Sequence, residues 1–393
     1  MRDVFVVGAA RTPVGKRGGY LREWVPAELL GHVLDEAVRR AGIDPALVED
    51  VINGCVYQVG EQGFTLGRTG VFASKLPDTV PGTSVNRQCG SSLTTIQMAY
   101  GMIASNVQDV IIASGIELMS KYPIGSDVGG TLPDGRPQGQ PFGEFYMKRL
   151  KGGKFYNQGQ AAQAIAEKWG ITRLECEEFA VASHTKAHNA TVKGYFKKEI
   201  LPTKGLDKEG KAILMEADET IRPNTSLEKL ATLEPALGTQ WITAGTSSPV
   251  TDGASAMVLM CEEKVKELKL KPLARIKANA VVGCDAELML TGPLYATPKV
   301  LQKAGLTMAD IDIFEVNEAF APIPLAWRKE LNAPMEKLNV NGGALALGHP
   351  VGNSGCRLSI TAIYELIRRR AKYALVTLCT GGAMAPATIF ERV

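Results

Sequence analysis

With 393 residues, of which 45% are hydrophobic and 22% charged, the chain has an ordinary globular composition and enough length for two or three domains. Its net charge of +3 is too small to indicate a nucleic-acid-binding surface, and it contains no apolar run long enough to span a bilayer. Residues 1–7 predict a strand rather than a signal peptide, and the last three residues are not a peroxisomal address. We therefore expect a soluble, cytoplasmic protein without nucleic-acid or membrane partners.

The seven cysteines are odd in number, and none forms a Cys-x-x-Cys pair. The sequence therefore predicts neither a disulfide framework nor a zinc site, and we expect no metal. Free cysteines are usually small buried residues, so each needs a local reason before a chemical role is assigned.

The order of predicted elements repeats along the chain. A helix is expected over residues 26–41, followed by the strand 50–54. Far downstream, a helix is expected to begin at Thr297-Pro298, followed by the strand 312–317. Each helix ends at an Ala-Gly pair, so helix, short link and strand occur twice.

The repeat continues in the next elements. Val85-Asn86 leads into a turn of small residues, a helix and the strand 109–115. Val340-Asn341 leads into a glycine-rich turn, a helix and the strand 373–379. We expect two similar α/β halves, each with a mostly buried sheet. The alternative is that any two α/β halves look alike.

The middle of the chain has a different character. It contains a loop rich in Gly, Pro and Asp, then helices with several lysines, then polar turns. Long excursions on a rigid scaffold are where binding usually takes place. We expect an N-terminal half of residues 1–120 and 251–272, an inserted loop domain of residues 121–250 that binds the substrate, and a C-terminal half of residues 273–393.

Cys89 is the first candidate for chemistry. It follows a strand and precedes the helical pattern that begins after Ser91-Ser92. At a helix N-terminus, unpaired N–H groups and the helix dipole favour an anion, which predicts a stabilised thiolate. The alternative is a buried structural cysteine.

The second half supplies possible partners. His349 lies between Gly348 and Pro350 on a loop before a helix, whereas the other three histidines lie on helical patterns. Cys379 ends a strand, and the following Gly381 could offer its backbone N–H to an oxyanion. The alternatives are a polar loop histidine and a buried strand-end thiol.

Asn317 follows the duplicated strand of the second half. Its amide could bind a water or a carbonyl group, although an asparagine that caps a turn is the commoner case. Each of these signals is weak alone, and the equivalent placement of the residues in both halves makes them stronger together.

The sequence resembles thiolases over essentially its whole length. Five blocks match in the family's order, together with the leading block Ala10–Lys16. They are the turn at Cys89, Ala244–Ser248 with Asp252–Ala254, Asn317–Phe320, the Gly-His-Pro turn at His349, and the turn that follows Cys379. The resemblance implies an α/β fold with a duplicated five-layer αβαβα core and an inserted loop domain.

The resemblance also implies the chemistry. His349 takes the proton of Cys89, which attacks an acyl-CoA carbonyl and carries the acyl group, while Cys379 moves the proton at the α-carbon. One oxyanion hole uses His349 and a water held by Asn317, and the other uses the N–H groups of Cys89 and Gly381. CoA and acyl-CoA are then substrates, and no bound cofactor is expected.

Further positions match substrate contacts of the family. Ser248 matches a serine that contacts pantetheine, Arg222 a basic residue near the adenine, and Met289 a methionine at the acyl end. We include Phe320 and Asn157 in the acyl pocket. By resemblance, we expect a homodimer or a homotetramer.

The chain departs from short-chain biosynthetic thiolases at Asn157, which stands where they carry a histidine. We therefore favour thiolytic cleavage of bulkier 3-ketoacyl-CoA substrates to acetyl-CoA and a shortened acyl-CoA. The alternatives are an acetyl-CoA C-acetyltransferase that makes or cleaves acetoacetyl-CoA, and a non-catalytic lipid-binding protein with the same fold.

Overall fold

The structure is a computed structural model that describes residues 2–393, and Met1 of the predicted leading strand lies outside them. The elements before the insertion are β1 (Val4–Arg11), β2 (Gly15–Lys16), α1 (Pro26–Ala41), β3 (Asp50–Gly54), α2 (Leu66–Phe72), β4 (Gly82–Val85), α3 (Ser91–Ala104) and β5 (Val110–Leu118). The insertion contains α4 (Glu144–Met147), α5 (Gln158–Trp169), α6 (Arg173–Val192), β6 (Thr203–Leu206), β7 (Ala212–Met215) and α7 (Leu227–Ala231). The remaining elements are β8 (Thr251–Cys261), α8 (Glu262–Glu267), β9 (Ala274–Gly283), α9 (Gly292–Ala304), β10 (Ile313–Val316), α10 (Pro322–Leu331), α11 (Ala344–Leu347), α12 (Ser354–Arg369), β11 (Tyr373–Thr377) and β12 (Met384–Glu391).

Helix α1 begins and ends where its sequence predicts. Pro26 occupies the first helical position, where a missing N–H costs nothing. Gly42 has φ +69°, and its N–H donates to the carbonyls of Val38 and Arg39. A left-handed conformation at this position favours glycine because no Cβ is present to clash.

Helix α9 corrects one prediction. It begins at Gly292 rather than at Thr297, and Pro298 lies inside it. Pro293 takes the first-turn position that the sequence had suggested for Pro298. A proline inside a helix lacks one backbone donor, so packing stabilises this helix beyond its intrinsic preference.

The strands confirm the duplication. They lie in the order β4-β3-β5-β8-β1 in one half and β10-β11-β12-β9 in the other, and the halves join where β1 pairs briefly with β9. In the first half, β3 and β5 are parallel, and β8 and β1 then continue the sheet in antiparallel pairs. In the second half, β10 and β11 are parallel, and β12 and β9 continue it in the same way. Even the parallel edge strand β4 has a counterpart, since Leu338 bridges in parallel to Phe314 beside β10.

Helices α3 and α12 form the middle layer. Apolar residues of both helices share one buried cluster with strand residues of both halves. Helix α1 covers the outer face of the first sheet, and α9 with α10 covers that of the second. The order helix, sheet, paired helices, sheet, helix is the five-layer αβαβα core that was expected.

Strand β8 returns the chain from the insertion to the first half. It lies between β1 and β5 and is buried along its whole length. The insertion packs back on the second half, where α5 contacts α10 and α6 contacts α11. This packing places segments of the insertion at the end of the core where the turns after β4, β10 and β11 lie.

Candidate active site

Cys89 lies in the turn that joins β4 to α3. Gln88 takes a left-handed conformation with φ +48°. The Ser91 hydroxyl donates to the Gln88 carbonyl at 2.6 Å and accepts from the Arg87 N–H at 3.0 Å. Local side-chain bonds therefore fix a strained turn whose thiol is only 5% exposed.

Gly90 allows this turn to touch the turn of the second half. A Cβ at Gly90 would lie 2.8 Å from Cγ of Pro386 and 2.9 Å from Cγ2 of Thr380. Thr380 follows Cys379 directly in the sequence. The absence of a side chain at Gly90 thus permits the two cysteine turns to meet.

The two thiols are close and are both neutral in the unliganded protein. Burial raises the pKa of Cys89 to about 11, although N–H groups of Gly381 and of Cys89 itself bond to the sulfur and partly lower it. Burial, together with the charge that Cys89 would carry, raises the pKa of Cys379 well above its ordinary value. The predicted helix-stabilised thiolate is therefore wrong for the unliganded protein, because desolvation outweighs these N–H groups.

His349 lies between α11 and α12 and is 4% exposed. Its Nδ1 is 2.6 Å from the hydroxyl of Ser354, which donates to the Pro350 carbonyl at 2.9 Å. Burial, and then the Arg357 charge, lowers the pKa of His349 to about 3. The imidazole is therefore neutral, and this network assigns its proton to Nδ1 and leaves the Nε2 lone pair as an acceptor.

Asn317 lies beside that lone pair. Its Nδ2 is 3.3 Å from Nε2 of His349, whereas its Oδ1 is buried without a partner among residues 2–393. A buried carbonyl oxygen left open in this way is a natural acceptor for a water or a ligand donor. The amide therefore contacts the imidazole directly, and the water that the resemblance implies at Asn317 stays a prediction.

Glu318 holds this loop in place. Its carboxylate accepts from the hydroxyl of Ser183 at 2.7 Å, from Nδ2 of Asn339 at 2.7 Å and from the N–H of Leu345 at 3.1 Å. The insertion, the strand end and the turn before His349 are therefore tied to one buried group.

Glu117 is a site residue that sequence reasoning missed. Its buried carboxylate accepts from the N–H groups of Val56 at 2.8 Å and Gly352 at 3.0 Å, and from Nε2 of Gln62 at 2.8 Å. Burial raises its pKa, and its charge raises that of Cys89. It thus links the loop after β3 to the turn after His349. The only signal in the sequence was a carboxylate within an otherwise apolar strand.

Three of the predicted substrate residues lie at this site. The Ser248 N–H donates to the carbonyl of Ala319 at 2.9 Å, so its loop is clipped to the Asn317 loop. Met289 and Phe320 are buried in the same apolar cluster as Cys379. The acyl-end assignment of these two residues is therefore sterically possible.

Asn157 does not point a free amide at the site. Its Oδ1 accepts from the N–H of Gln160 at 3.0 Å, and its Nδ2 donates to the Leu237 carbonyl at 2.9 Å. The exposed side chain is therefore a helix cap with both amide atoms engaged, and its place in the acyl pocket stays a prediction. The neighbouring Gln158 instead reaches the site, since its Nε2 lies 3.1 Å from where a Cβ of Gly381 would be.

Arg222 is exposed on the insertion. Its backbone N–H donates to Nδ1 of His184 at 3.1 Å. Among residues 2–393 its guanidinium has no hydrogen bond or ion pair, so the structure does not join it to the cysteine site.

A cavity of about 820 Å³ opens between the insertion and the segment from β9 to α9. Cys284 in its wall packs against the apolar cluster that contains Cys379, and its thiol donates to the Met289 carbonyl at 3.4 Å. The cavity therefore adjoins the acyl end of the site.

Two structural features are absent from residues 2–393. No group of three or more His, Cys, Asp or Glu side chains is placed to hold a metal ion. None of the helices combines the length and apolar character needed to cross a membrane.

Comparison with known proteins agrees with this geometry. Residues 4–263 match the thiolase N-terminal domain, and residues 270–392 match the thiolase C-terminal domain. The 3-ketoacyl-CoA thiolases of Shewanella loihica and Klebsiella pneumoniae are 43% and 40% identical, with full coverage of both chains in each pair.

Solved structures give the same result. The Bacillus anthracis acetyl-CoA acetyltransferase matches with a TM-score of 0.90 and 37% identity, and human mitochondrial 3-ketoacyl-CoA thiolase with a TM-score of 0.90 and 35% identity. Each match covers 100% of this chain and 99% of the other. The chain belongs to the thiolase family.

Proposed function

We propose that this protein is an acyltransferase that cleaves 3-ketoacyl-CoA with CoA, yielding acetyl-CoA and a shortened acyl-CoA. The observation that carries the proposal is that two buried, neutral thiols, Cys89 and Cys379, lie close enough for a charge on Cys89 to oppose ionisation of Cys379, with the Gly381 N–H bonded to the sulfur of Cys89. One thiol can hold the acyl group while the other still handles a proton, which a single thiol cannot do.

In the first half-reaction, the sulfur of Cys89 attacks the 3-keto carbon as Nε2 of His349 takes the thiol proton. The bond between C2 and C3 then breaks, and the departing acetyl-CoA carbanion takes the proton of Cys379. The acyl group remains on Cys89 as a thioester, His349 is protonated and Cys379 is a thiolate.

In the second half-reaction, CoA gives its thiol proton to Cys379 and attacks the thioester carbonyl. Cys89 leaves as a thiolate and recovers its proton from His349. All three groups return to their starting states, so the reaction needs no redox partner, and it can run in reverse as a Claisen condensation.

Because Cys89 and His349 are both neutral before the reaction, the proton transfer of the first step needs a driving force. A thiol with a pKa of about 11 does not transfer its proton freely to an imidazole with a pKa of about 3. We infer that the proton moves only as the sulfur–carbon bond forms, when charge shifts to the carbonyl oxygen. Donors prepared for that oxygen then supply most of the stabilisation.

Two donor sets are proposed for the two oxyanions. The N–H groups of Cys89 and Gly381 form one set. Protonated Nε2 of His349, with a water held by the open Oδ1 of Asn317, forms the other. Removal of one donor in such a hole typically costs about 10²–10³-fold in rate.

CoA is proposed to lie along the insertion, with Ser248 at the pantetheine and the free guanidinium of Arg222 at the nucleotide end. This assigns residues 121–250 as the loop domain between an N-terminal half (1–120 and 251–272) and a C-terminal half (273–393). A cytoplasmic location remains an expectation from the sequence.

A homodimer or homotetramer is also proposed. Strand β4 lies at the edge of the sheet, directly before the turn that carries Cys89. An unpaired strand edge is a site where a second copy can add its own strand.

The acyl chain is proposed to be longer than acetoacetyl, because the cavity of about 820 Å³ whose wall residue Cys284 packs against the Cys379 cluster has the size of a small-molecule pocket, about 300–1,000 Å³. The resemblance to an acetyl-CoA acetyltransferase structure keeps the short substrate as the second candidate. Thiolysis rates on acetoacetyl-CoA and on longer 3-ketoacyl-CoA substrates separate them, since a clear preference for acetoacetyl-CoA would contradict the longer chain.

Acyl labelling tests the chemistry directly. After incubation with a 3-ketoacyl-CoA, intact-protein mass spectrometry should show one acyl adduct, absent in Cys89→Ala. Cys176→Ala, which removes a buried thiol of α6, is the matched control and should still be labelled. The absence of an adduct on the unmodified protein would instead support a non-catalytic acyl-CoA-binding protein.

A further inference from the structure

The cavity that Cys284 lines has a charged wall. Three cationic side chains, Arg149, Lys151 and Lys168, line it together with the carboxylates of Asp285 and Glu287. Pockets that hold unsubstituted hydrocarbon chains are lined mainly by apolar side chains. This wall is therefore unsuited to a purely aliphatic acyl tail.

The two carboxylates are already engaged by the protein. Oδ1 of Asp285 accepts from the N–H groups of Glu287 and Leu288 at 3.0 Å, and its Oδ2 is 4.0 Å from Nζ of Lys151. Glu287 accepts from the Gly152 N–H at 2.5 Å. These bonds fix the two carboxylates as parts of the wall.

Two of the cations are not engaged in this way. Among residues 2–393, the guanidinium of Arg149 and the ammonium of Lys168 have no hydrogen bond and no carboxylate partner. Lys168 lies 4.9 Å from the ring centre of Trp169 at the end of α5. Both charges are thus free to bind an anion that enters the cavity.

Two residues of the cavity wall lie next to the segments that hold the reacting groups. On one side, the N–H of Cys284 in the wall donates to the Ala383 carbonyl at 2.8 Å, in the turn that begins at Cys379. On the other side, Tyr156 lines the cavity two residues before Gln158, the residue that reaches Gly381. An acyl chain attached to Cys89 that extends past Cys284 would therefore meet the wall cations.

We propose that the acyl chain of the physiological substrate carries a carboxylate at its distal end, and that Arg149 and Lys168 bind it. This assignment rests on the proposed thiolytic function and specifies its substrate class as 3-ketoacyl-CoA esters of dicarboxylic acids. Arg149 supplies a planar donor fork suited to a carboxylate, and Lys168 supplies a second positive charge.

The same two cations could instead bind a phosphate of CoA, since phosphate and carboxylate share this chemistry. The two kinds of anion predict different effects on the kinetics. A carboxylate on the acyl chain affects one class of substrate, whereas a CoA phosphate is present in every substrate and in CoA itself.

The test compares two substrates of equal length, 3-oxoadipyl-CoA, which ends in a carboxylate, and 3-oxohexanoyl-CoA, which ends in a methyl group. We expect the unmodified enzyme to favour 3-oxoadipyl-CoA in kcat/KM. In Arg149→Gln/Lys168→Gln that preference should fall about ten-fold, the scale of one lost charge-assisted bond, with 3-oxohexanoyl-CoA cleavage nearly unchanged.

Lys148→Gln is the matched control. Lys148 is an exposed neighbour on the same loop, 3.9 Å from Glu144, and does not line the cavity. It should leave the preference unchanged. Because Arg149 and Lys168 are also exposed, we expect the double variant to fold, and thermal unfolding will check this.

Three results would overturn the inference. One is an unmodified enzyme that favours the methyl-ended substrate, and another is a preference that survives the double substitution. An equal loss on both substrates with a raised KM for CoA would assign the cations to a CoA phosphate. If 3-oxohexanoyl-CoA is cleaved in any of these cases, the proposed thiolytic function stands while the carboxylate subsite fails.

A binding measurement separates recognition from chemistry. Adipyl-CoA lacks the 3-keto group, so the retro-Claisen step cannot occur, and its inhibition constant should rise about ten-fold in the double variant. The inhibition constant of hexanoyl-CoA should not change. Equal effects on the two inhibitors would also count against a carboxylate subsite.

Discussion

The hydroxyl oxygen of Ser354 lies 2.6 Å from Nδ1 of His349 and 2.9 Å from the carbonyl oxygen of Pro350. A serine hydroxyl has one hydrogen, and the carbonyl can only accept it. Nδ1 of His349 must therefore be the donor toward Ser354. This relationship leaves Nε2 as the basic nitrogen, on the side where Asn317 lies.

Ser354→Ala should lower the thiolysis rate by about ten-fold, because the imidazole loses the hydrogen bond that fixes its tautomer and orientation. Steady-state kcat is the measurement. Ser359→Ala is the control, since Ser359 is buried on the same helix and bonds only to the carbonyl of Gly355. Equal rates for the two variants would show that Ser354 does not position His349.

Alkylation of Cys89 should be slow at neutral pH and should rise about ten-fold per pH unit from pH 7 to 10. The reason is that burial raises the pKa of this thiol to about 11, so the thiolate fraction keeps growing across that range. Mass spectrometry of iodoacetamide-treated protein at several pH values measures the rate. A plateau near pH 7 would reveal a preformed thiolate–imidazolium pair.

Gly90→Ala should reduce activity strongly, because the new Cβ would meet Pro386 and Thr380 at less than 3.0 Å and push the two cysteine turns apart. Gly101→Ala is the matched control on the same helix, where a Cβ meets nothing within 4 Å. That control should keep full activity and gain roughly 0.5–1 kcal/mol of stability from helix propensity. The comparison requires kcat and thermal unfolding of both variants, and full activity in Gly90→Ala would contradict the close approach.

Burial of Glu315 should make the free energy of unfolding decrease as the pH rises. Burial raises its pKa to about 8, opposed by the charge of Arg357. Its folded pKa lies above the unfolded value, so its contribution is fully present below about pH 4.5 and is lost as pH rises through 8. Neither carboxylate oxygen of Glu315 has a hydrogen-bond partner among residues 2–393.

Glu315→Gln should flatten this dependence. Denaturant unfolding at pH 5 and pH 8 should show a smaller loss of stability in the variant than in the unmodified protein. Glu234→Gln, which changes an exposed carboxylate, serves as the control. The assignment fails if both variants lose the same stability between the two pH values.

Much of the fold could be predicted because its signals are local. The helix from Pro26 to Ala41 and the strand from Asp50 to Gly54 were bounded correctly by a proline, a glycine and a short apolar run. Helix α9 was bounded wrongly because Pro293 and Pro298 both fit a helix start. Only packing decides between two such positions.

The site was predicted in part for a similar reason. Cys89, His349 and Cys379 stand in turns whose small neighbours mark them in the sequence. Glu117 stands in a mostly apolar strand, and its hydrogen-bond partners lie 55, 61 and 235 residues away in the chain. No local pattern could have assigned it to the site.

The sequence by itself determined which chemical groups this protein has and in what order the two halves deliver them. Only the tertiary structure decided their protonation states, since the desolvation that keeps Cys89 a thiol and His349 neutral comes from residues distant in the chain. It also decided that Asn157 is a helix cap and that Gln158 faces Gly381. Consecutive residues at the start of a helix point in different directions, so a sequence pattern does not show which of the two faces the site.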